Sequence, residues 1–304
     1  MDRLLGDLTL EQKVGQCFTY LWSGHMILPS VVQAIEKLHC GALRLQPYCL
    51  TGKRLKYYDF DSGGEEYDWP EGYEPIAQNL FLGGPISHPS PAEYARALNR
   101  LQEIAVARPG GVPLTFSIDQ EGDFSRDCVH GGIALFPSAM GLAVAGEPDL
   151  VYRARRATAE QLSSMGITTI HSPVLDINLQ PTNPEIGTRA YGEDPVEATK
   201  YALAAMRGLQ DGGLIATGKH FPRRGDSVVD AHHDVPVIDC DRKRLDEVEL
   251  YPYRELIAAG KKVVLGTNSP YPMSVVAGAD AVVCAYATNP QSLAAAADMV
   301  FGQT

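Results

Sequence analysis

Short apolar runs alternate along this chain with stretches whose apolar positions recur at helical spacing. The run Gly41-Ala42-Leu43-Arg44-Leu45 predicts a first strand, and a helix over 30–38 precedes it. Further on, helices are predicted over 91–106, 149–165, 195–210 and 242–259, and strands over 112–118, 167–174 and 214–217. Strands separated by helices at this spacing imply an α/β fold: a parallel sheet with helices outside it, either open or closed into a (β/α) barrel. A polar stretch over 48–89, rich in Gly, Pro, Tyr and acidic residues, interrupts the series. Loops of that length usually belong to a functional rim or an insert.

The polar residues fall at the ends of the strands. Val112-Pro113-Leu114-Thr115-Phe116-Ser117-Ile118 runs into Asp119-Gln120-Glu121-Gly122. Ile167-Thr168-Thr169-Ile170-His171-Ser172-Pro173-Val174 runs into Leu175-Asp176-Ile177-Asn178, and the strand over 214–217 runs into Gly218-Lys219-His220. In a barrel, the C-terminal ends of the strands are where active sites are built. Strand ends also need turn formers and caps, a job Asp performs well, but three such endings favour a site. The stretch 218–233 is the densest: Lys219, His220, His232 and His233 with Asp226 and Asp230. Gly218, Pro222 and Gly225 make it a loop rather than a helix. Asp230 and His232 stand two apart, close enough for the carboxylate to orient the imidazole as a general acid/base. A polar surface loop, with or without a structural metal, is the competing reading.

Composition narrows the partners. The 304 residues are 45% hydrophobic and 21% charged, as in ordinary globular proteins, and can hold one large domain or two smaller ones. The formal charge is −11, from 37 acidic and 26 basic side chains, with no basic cluster. Nucleic acid and anionic membrane surfaces are therefore not expected as partners. No secretory signal and no membrane span are read in the sequence. The six cysteines contain no CxxC pair and read as reduced thiols of a cytoplasmic protein, with no zinc spacing. Oligomeric state is not legible.

Three segments carry a family resemblance: Asp119-Gln120-Glu121-Gly122, then Asn183-Pro184-Glu185-Ile186-Gly187-Thr188-Arg189-Ala190-Tyr191-Gly192-Glu193-Asp194-Pro195, then Gly218-Lys219-His220-Phe221-Pro222. Their order and strand context resemble glycoside hydrolase family 3, in particular its β-N-acetylglucosaminidase branch, from about Leu8 to Gly260. That resemblance implies a TIM-type barrel and retaining hydrolysis of a terminal β-linked sugar, N-acetylglucosamine or a related β-glycoside, with no metal or organic cofactor. It implies that Asp119, Arg189, Lys219 and His220 bind sugar hydroxyls, and that His232, assisted by Asp230, is the acid/base. It gives Asp176 the task of holding loops together, and Glu193 and Asp194 the cap of the helix that starts at Pro195.

The chain also departs from the family pattern. A retaining glycosidase needs a nucleophile besides its acid/base, and the family's Ser-Asp dipeptide occurs nowhere in the sequence. After Gly260 the segments Lys261-Lys262-Val263-Val264-Leu265 and Ala279-Asp280-Ala281-Val282-Val283-Cys284 resemble the end of the family's second, α/β-sandwich domain. The expectation is thus an incomplete barrel over 1–260 and an α/β remnant over 261–304. Where the family has P-G-H-G, this chain has Pro222-Arg223-Arg224-Gly225. The G-R-V expected after Gly122 is Asp123-Phe124-Ser125, leaving Arg126 to supply the cation there. A non-catalytic glycan-binding relative, an incomplete product with exposed strand edges, and a metal-dependent hydrolase using His220, His232 and His233 are the alternatives. The last lacks zinc-ligand spacing.

Overall fold

A computed structural model describes residues 6–47, 57–58, 66–67, 89–122, 128, 133–231, 234, 236–260, 264–267 and 281–284. The polar stretch over 48–89 lies almost wholly outside the described residues, as do Arg126, His232 and His233. The chain forms two compact units.

The first comprises Met1–Ile118, Asp127–Ile133 and Ser164–Thr168. Helix α1 (Leu10–Gln16) opens with a reciprocal cap between Thr9 and Gln12. Strand β1 (Thr19–Ser23), helix α2 (Pro29–Glu36) and strand β2 (Ala42–Gln46) follow. The dipeptide strands β3 (Tyr57–Tyr58) and β4 (Glu66–Tyr67) pair antiparallel. Helix α3 (Pro91–Ala107) is capped by Ser90 and Glu93, and strand β5 (Thr115–Ile118) ends the unit's main run. β2 pairs in parallel with β1 on one side and β5 on the other. Leu43 and Leu45 are buried, while Ala42, Arg44 and Gln46 on either side of them are half-buried, the alternation a pleated strand imposes. With Ile35, Leu98, Leu101 and Phe116 they form the core. Trp22 stacks on Tyr94 at 5.6 Å between ring centroids. Arg108, also buried, donates to the carbonyls of Ile35, Cys40 and Val112 at 2.8–2.9 Å. Burial pushes the Cys40 thiol up to about 11 despite that nearby cation, so Cys40 is a core thiol rather than a nucleophile.

The second unit comprises Asp119–Arg126, Ala134–Ser163 and Thr169–Thr304. It contains helices α4 (Ala139–Val144), α5 (Pro148–Ser164) and α6 (Pro195–Asp211), with strands β6 (Thr169–Ile170) and β7 (Ile215–Ala216) paired in parallel. Asp194 caps α6, its carboxylate accepting from the amides of Val196 and Glu197 at 2.9 Å ahead of a proline in the first turn. A cap of this kind contributes about 1 kcal/mol. After β7 come an α turn α7 (Arg242–Arg244), a π turn over Leu245–Glu249 and helix α8 (Tyr251–Ala258). The core joins Val151 of α5, Leu175 and Ile177, Ala202, Ala205 and Met206 of α6, and Leu250, Tyr253 and Leu256. Strands β8 (Val264–Thr267) and β9 (Ala281–Cys284) pair in parallel with Val264 opposite Ala281. Among the described residues no helix is long and apolar enough to cross a membrane.

Three expectations need correction. The strand over 41–45 is not the first: β1 precedes it, and its three exposed positions give no alternation to read. The strand over 167–174 shrinks to Thr169–Ile170, because Pro173 has no N–H to donate to a ladder. Its end returns as a single bridge between Val174 and Lys219. The helix over 242–259 breaks at Leu250, just before Pro252 in the first turn of α8.

Candidate active site

Three backbone segments of the second unit converge: Asp119–Glu121 just after β5, the stretch 174–192, and the residues after β7. The Val174–Lys219 bridge aligns two of them. Lys219 donates its amide to Pro173 O at 3.1 Å, and Leu175 donates to Lys219 O at 2.5 Å. The Lys219–His220 and Phe221–Pro222 peptide bonds are both cis. Gly225 presses against the opposite segment, where an added Cβ would lie 1.8 Å from Ile177 O. Only glycine fits there.

The side chains form one connected polar cluster. Lys219 Nζ stands 2.6 Å from Asp119 Oδ1 and 2.5 Å from Glu121 Oε1. Arg189 grips Glu121 with both arms, Nε to Oε2 at 2.8 Å and Nη2 to Oε1 at 2.9 Å. It also donates to Glu185 O at 2.9 Å, and its Nη2 lies 3.5 Å from His220 Nε2. Glu121 is 4% exposed, whereas Asp119 and Lys219 keep 25% and 17% of their side chains open. Burial pushes the Glu121 carboxyl up, but the hydrogen bonds and charges of Arg189 and Lys219 outweigh it and hold the group below its ordinary value. Burial likewise opposes the charge on Arg189, and the Glu121 carboxylate more than restores it.

Asp176 is the hub behind this cluster. Its fully buried carboxylate accepts from the amide of His220 at 3.0 Å, from that of Arg224 at 2.5 Å, and meets His220 Nδ1 at 2.6 Å. The loop-holding task expected of Asp176 is what the geometry displays. Arg224 reaches Glu185, and Asn183 Nδ2 donates to Arg224 O at 2.8 Å. Asn183 Oδ1 in turn accepts the amides of Glu185 and Ile186, fixing the turn that delivers Arg189.

Of the residues expected at the site, Asp119, Arg189, Lys219 and His220 are brought together. Asp230 lies farther along the loop, half-buried, its carbonyl accepting from the Asp234 amide at 3.1 Å. The sequence by itself assigns no role to Glu121 or Glu185. Glu121 follows Asp119 by two positions at a strand end, a signal that was available. The side-chain partner of Glu185, Arg224, lies 39 positions away in the sequence and left none.

The profile of the glycosyl hydrolase family 3 N terminal domain matches residues 78–279, well over half of the chain. The chain belongs to glycosyl hydrolase family 3. Apart from the antiparallel β3–β4 pair, its described strands pair in parallel within each unit and alternate with helices along the chain, the α/β pattern expected of that family's N-terminal domain. Among family 3 relatives, beta-hexosaminidase A of Pseudoalteromonas piscicida is 31% identical over 185 residues, 60% of this chain and 31% of its own length. Beta-hexosaminidase LpqI of Mycobacterium tuberculosis is 34% identical over 187 residues, 60% of this chain and 46% of its own. A solved family 3 beta-N-acetylglucosaminidase from a Paenibacillus species superposes with a TM-score of 0.67 at 32% identity, covering 85% of this chain and 41% of that one. The chain thus spans less than half the length of each of these relatives.

Proposed function

We propose that this family 3 chain holds the terminal sugar of a β-N-acetylhexosaminide, or a related β-glycoside, and hydrolyses its glycosidic bond with retention. The observation that carries the reading is the partly open Asp119–Lys219 pair, braced from behind by Glu121 and flanked by Arg189 and His220. A carboxylate accepts two hydroxyl protons at once, and an ammonium and a guanidinium only donate. Together they complement adjacent ring hydroxyls, which both give and take hydrogen bonds. The names of the relatives, beta-hexosaminidases and a beta-N-acetylglucosaminidase, supply the sugar class.

In this reading His232, oriented by Asp230, protonates the leaving oxygen. Retention further needs a carboxylate nucleophile to form the glycosyl-enzyme; the family's Ser-Asp aspartate is missing from this sequence, so another carboxylate must take its place before His232 deprotonates the water that releases the sugar. Arg126 supplies a further cation to the same sugar. No metal or organic cofactor enters. The same proposal takes 1–260 as the barrel domain and 261–304 as a remnant of a second one, in a cytoplasmic protein. A second reading rests on the missing Ser-Asp dipeptide: a relative that keeps the sugar and has lost turnover.

The test is nitrophenol release from the β-N-acetylglucosaminide, run beside calorimetric binding of N-acetylglucosamine. The parent is expected to turn over, and His232→Ala to stop it. Asp119→Ala is expected to weaken sugar binding about 10- to 100-fold, the loss of one or two charge-assisted hydrogen bonds. Binding without release by the parent would favour the second reading. An Asp119→Ala protein that binds the sugar as the parent does would sink the site.

A further inference from the structure

Where the family resemblance expects Gly-His, this chain carries Arg223-Arg224, and the two arginines do different work. Arg224 stays with the cluster, its amide on Asp176 and its guanidinium on Glu185. Arg223 turns the other way. Its side chain is only 10% exposed, with Nη1 donating to Glu249 Oε1 at 2.8 Å and Nη2 donating to Ile238 O at 2.7 Å. Residue 223 enters the stretch that contains Asp230, and residue 238 leaves it, so one guanidinium ties the two ends together.

The neck has a second fastening. Arg244 reaches Asp226 Oδ2 at 2.5 Å and Glu249 Oε1 at 3.4 Å. Glu249, 4% exposed, therefore receives both arginines, and it sits at the end of the π turn over Leu245–Glu249. Such turns insert an extra residue into a helix and recur at functional sites. Inside the neck, the chain is pinned residue by residue: Gln180 N donates to Gly225 O at 3.2 Å, Ser227 N to Arg224 O at 3.2 Å and Val229 N to Ser227 Oγ at 3.0 Å. These contacts lead up to Asp230.

We propose that Arg223, backed by Glu249, is a positioning residue for the acid/base segment: it closes the neck between Arg224 and Val237 and so sets where Asp230 stands. It rests on the glycosidase reading for what that segment does. It touches no sugar-binding residue, so its loss should act on the chemical step and leave the grip on the sugar intact.

Two variants test this. Arg223→Lys keeps a cation beside Glu249 but exchanges a planar fork for one ammonium, which cannot serve both partners in the same way. Arg223→Gly installs the residue the resemblance expects. With the nitrophenyl N-acetylglucosaminide, kcat should fall roughly 10-fold for the lysine variant and on the order of 100-fold for glycine, the size that misplacing a catalytic group by about an ångström produces. KM and the calorimetric affinity for N-acetylglucosamine should stay within about twofold of the parent, because Asp119, Arg189 and Lys219 are untouched. An unchanged kcat in a folded variant overturns the proposal, as does a KM that rises as far as kcat falls. Should the parent release no nitrophenol, the glycosidase reading fails by itself, and the neck is judged by amide exchange. The peptide over 224–230 should then exchange at least about 10-fold faster in Arg223→Lys, with α6 unchanged. Equal exchange would overturn the proposal.

Discussion

Glu121→Gln is expected to destabilise the second unit by about 3–5 kcal/mol at neutral pH, the cost of removing one partner from a buried ion pair. The side chain keeps its shape and loses its charge, leaving the nearly buried Arg189 without its carboxylate and Lys219 with Asp119 alone. The effect should also depend on pH in a defined direction. The folded Glu121 carboxyl sits below its ordinary value of 4.5, so it binds its proton less readily folded than unfolded. Its contribution is fully present above pH 4.5 and is lost as pH falls through the folded value. Urea unfolding of parent and variant between pH 3 and 7 measures this directly. The gap between them should be widest at neutral pH and close on acidification. A glutamine variant as stable as the parent at pH 7 would mean that Arg189 and Lys219 do not depend on Glu121.

Why Glu121 escaped a reading from sequence alone follows from distance along the chain. The pair it makes with Arg189 spans 68 positions, and the Lys219–Asp119 contact spans 100. No periodicity reports contacts of that range; the strand ends put Asp119, Lys219 and His220 on one face, and only the family resemblance added Arg189. Local chemistry was legible where the backbone's own groups are served locally. Asp194 before Pro195 marked the start of α6, and helix α3 was read to within a residue at its end. The Thr9–Gln12 capping box is the same kind of local signal, at the start of α1. The π turn left none; Glu249 at its end meets Arg223, 26 positions away, and Arg244.

Gly225→Ala should be comparably damaging, costing at least about 3 kcal/mol, the upper end for overpacking a closed site. The added Cβ would fall 1.8 Å from Ile177 O and 2.6 Å from Ile177 C. Both are backbone atoms, so no side-chain rotation relieves the overlap and the two strand-end segments must part. That separation would pull Arg224 from Asp176, and with it the amide of His220. We expect a lower urea midpoint and loss of N-acetylglucosamine binding together. Gly6→Ala, at a helical position with nothing within 4 Å, is the control and should be close to neutral. A Gly225→Ala protein with the parent's midpoint would show that the contact is slack.

The Asp119, Glu121, Arg189 and Lys219 quartet has a consequence for how the site meets its ligand. Two carboxylates and two cations sum to zero, within a chain whose formal charge is −11. Such a site casts little long-range field, so an uncharged sugar neither gains nor loses much from the surrounding acidity. Raising the salt from about 0.01 M to 1 M shortens the Debye length from about 30 Å to 3 Å, which would cut any steered association sharply. Here the affinity for N-acetylglucosamine should change by less than about twofold over that range. An anionic sugar should bind better as salt screens the chain's negative exterior. The cancelled charges therefore make the pocket a reader of hydroxyl geometry, largely indifferent to the ionic medium around it.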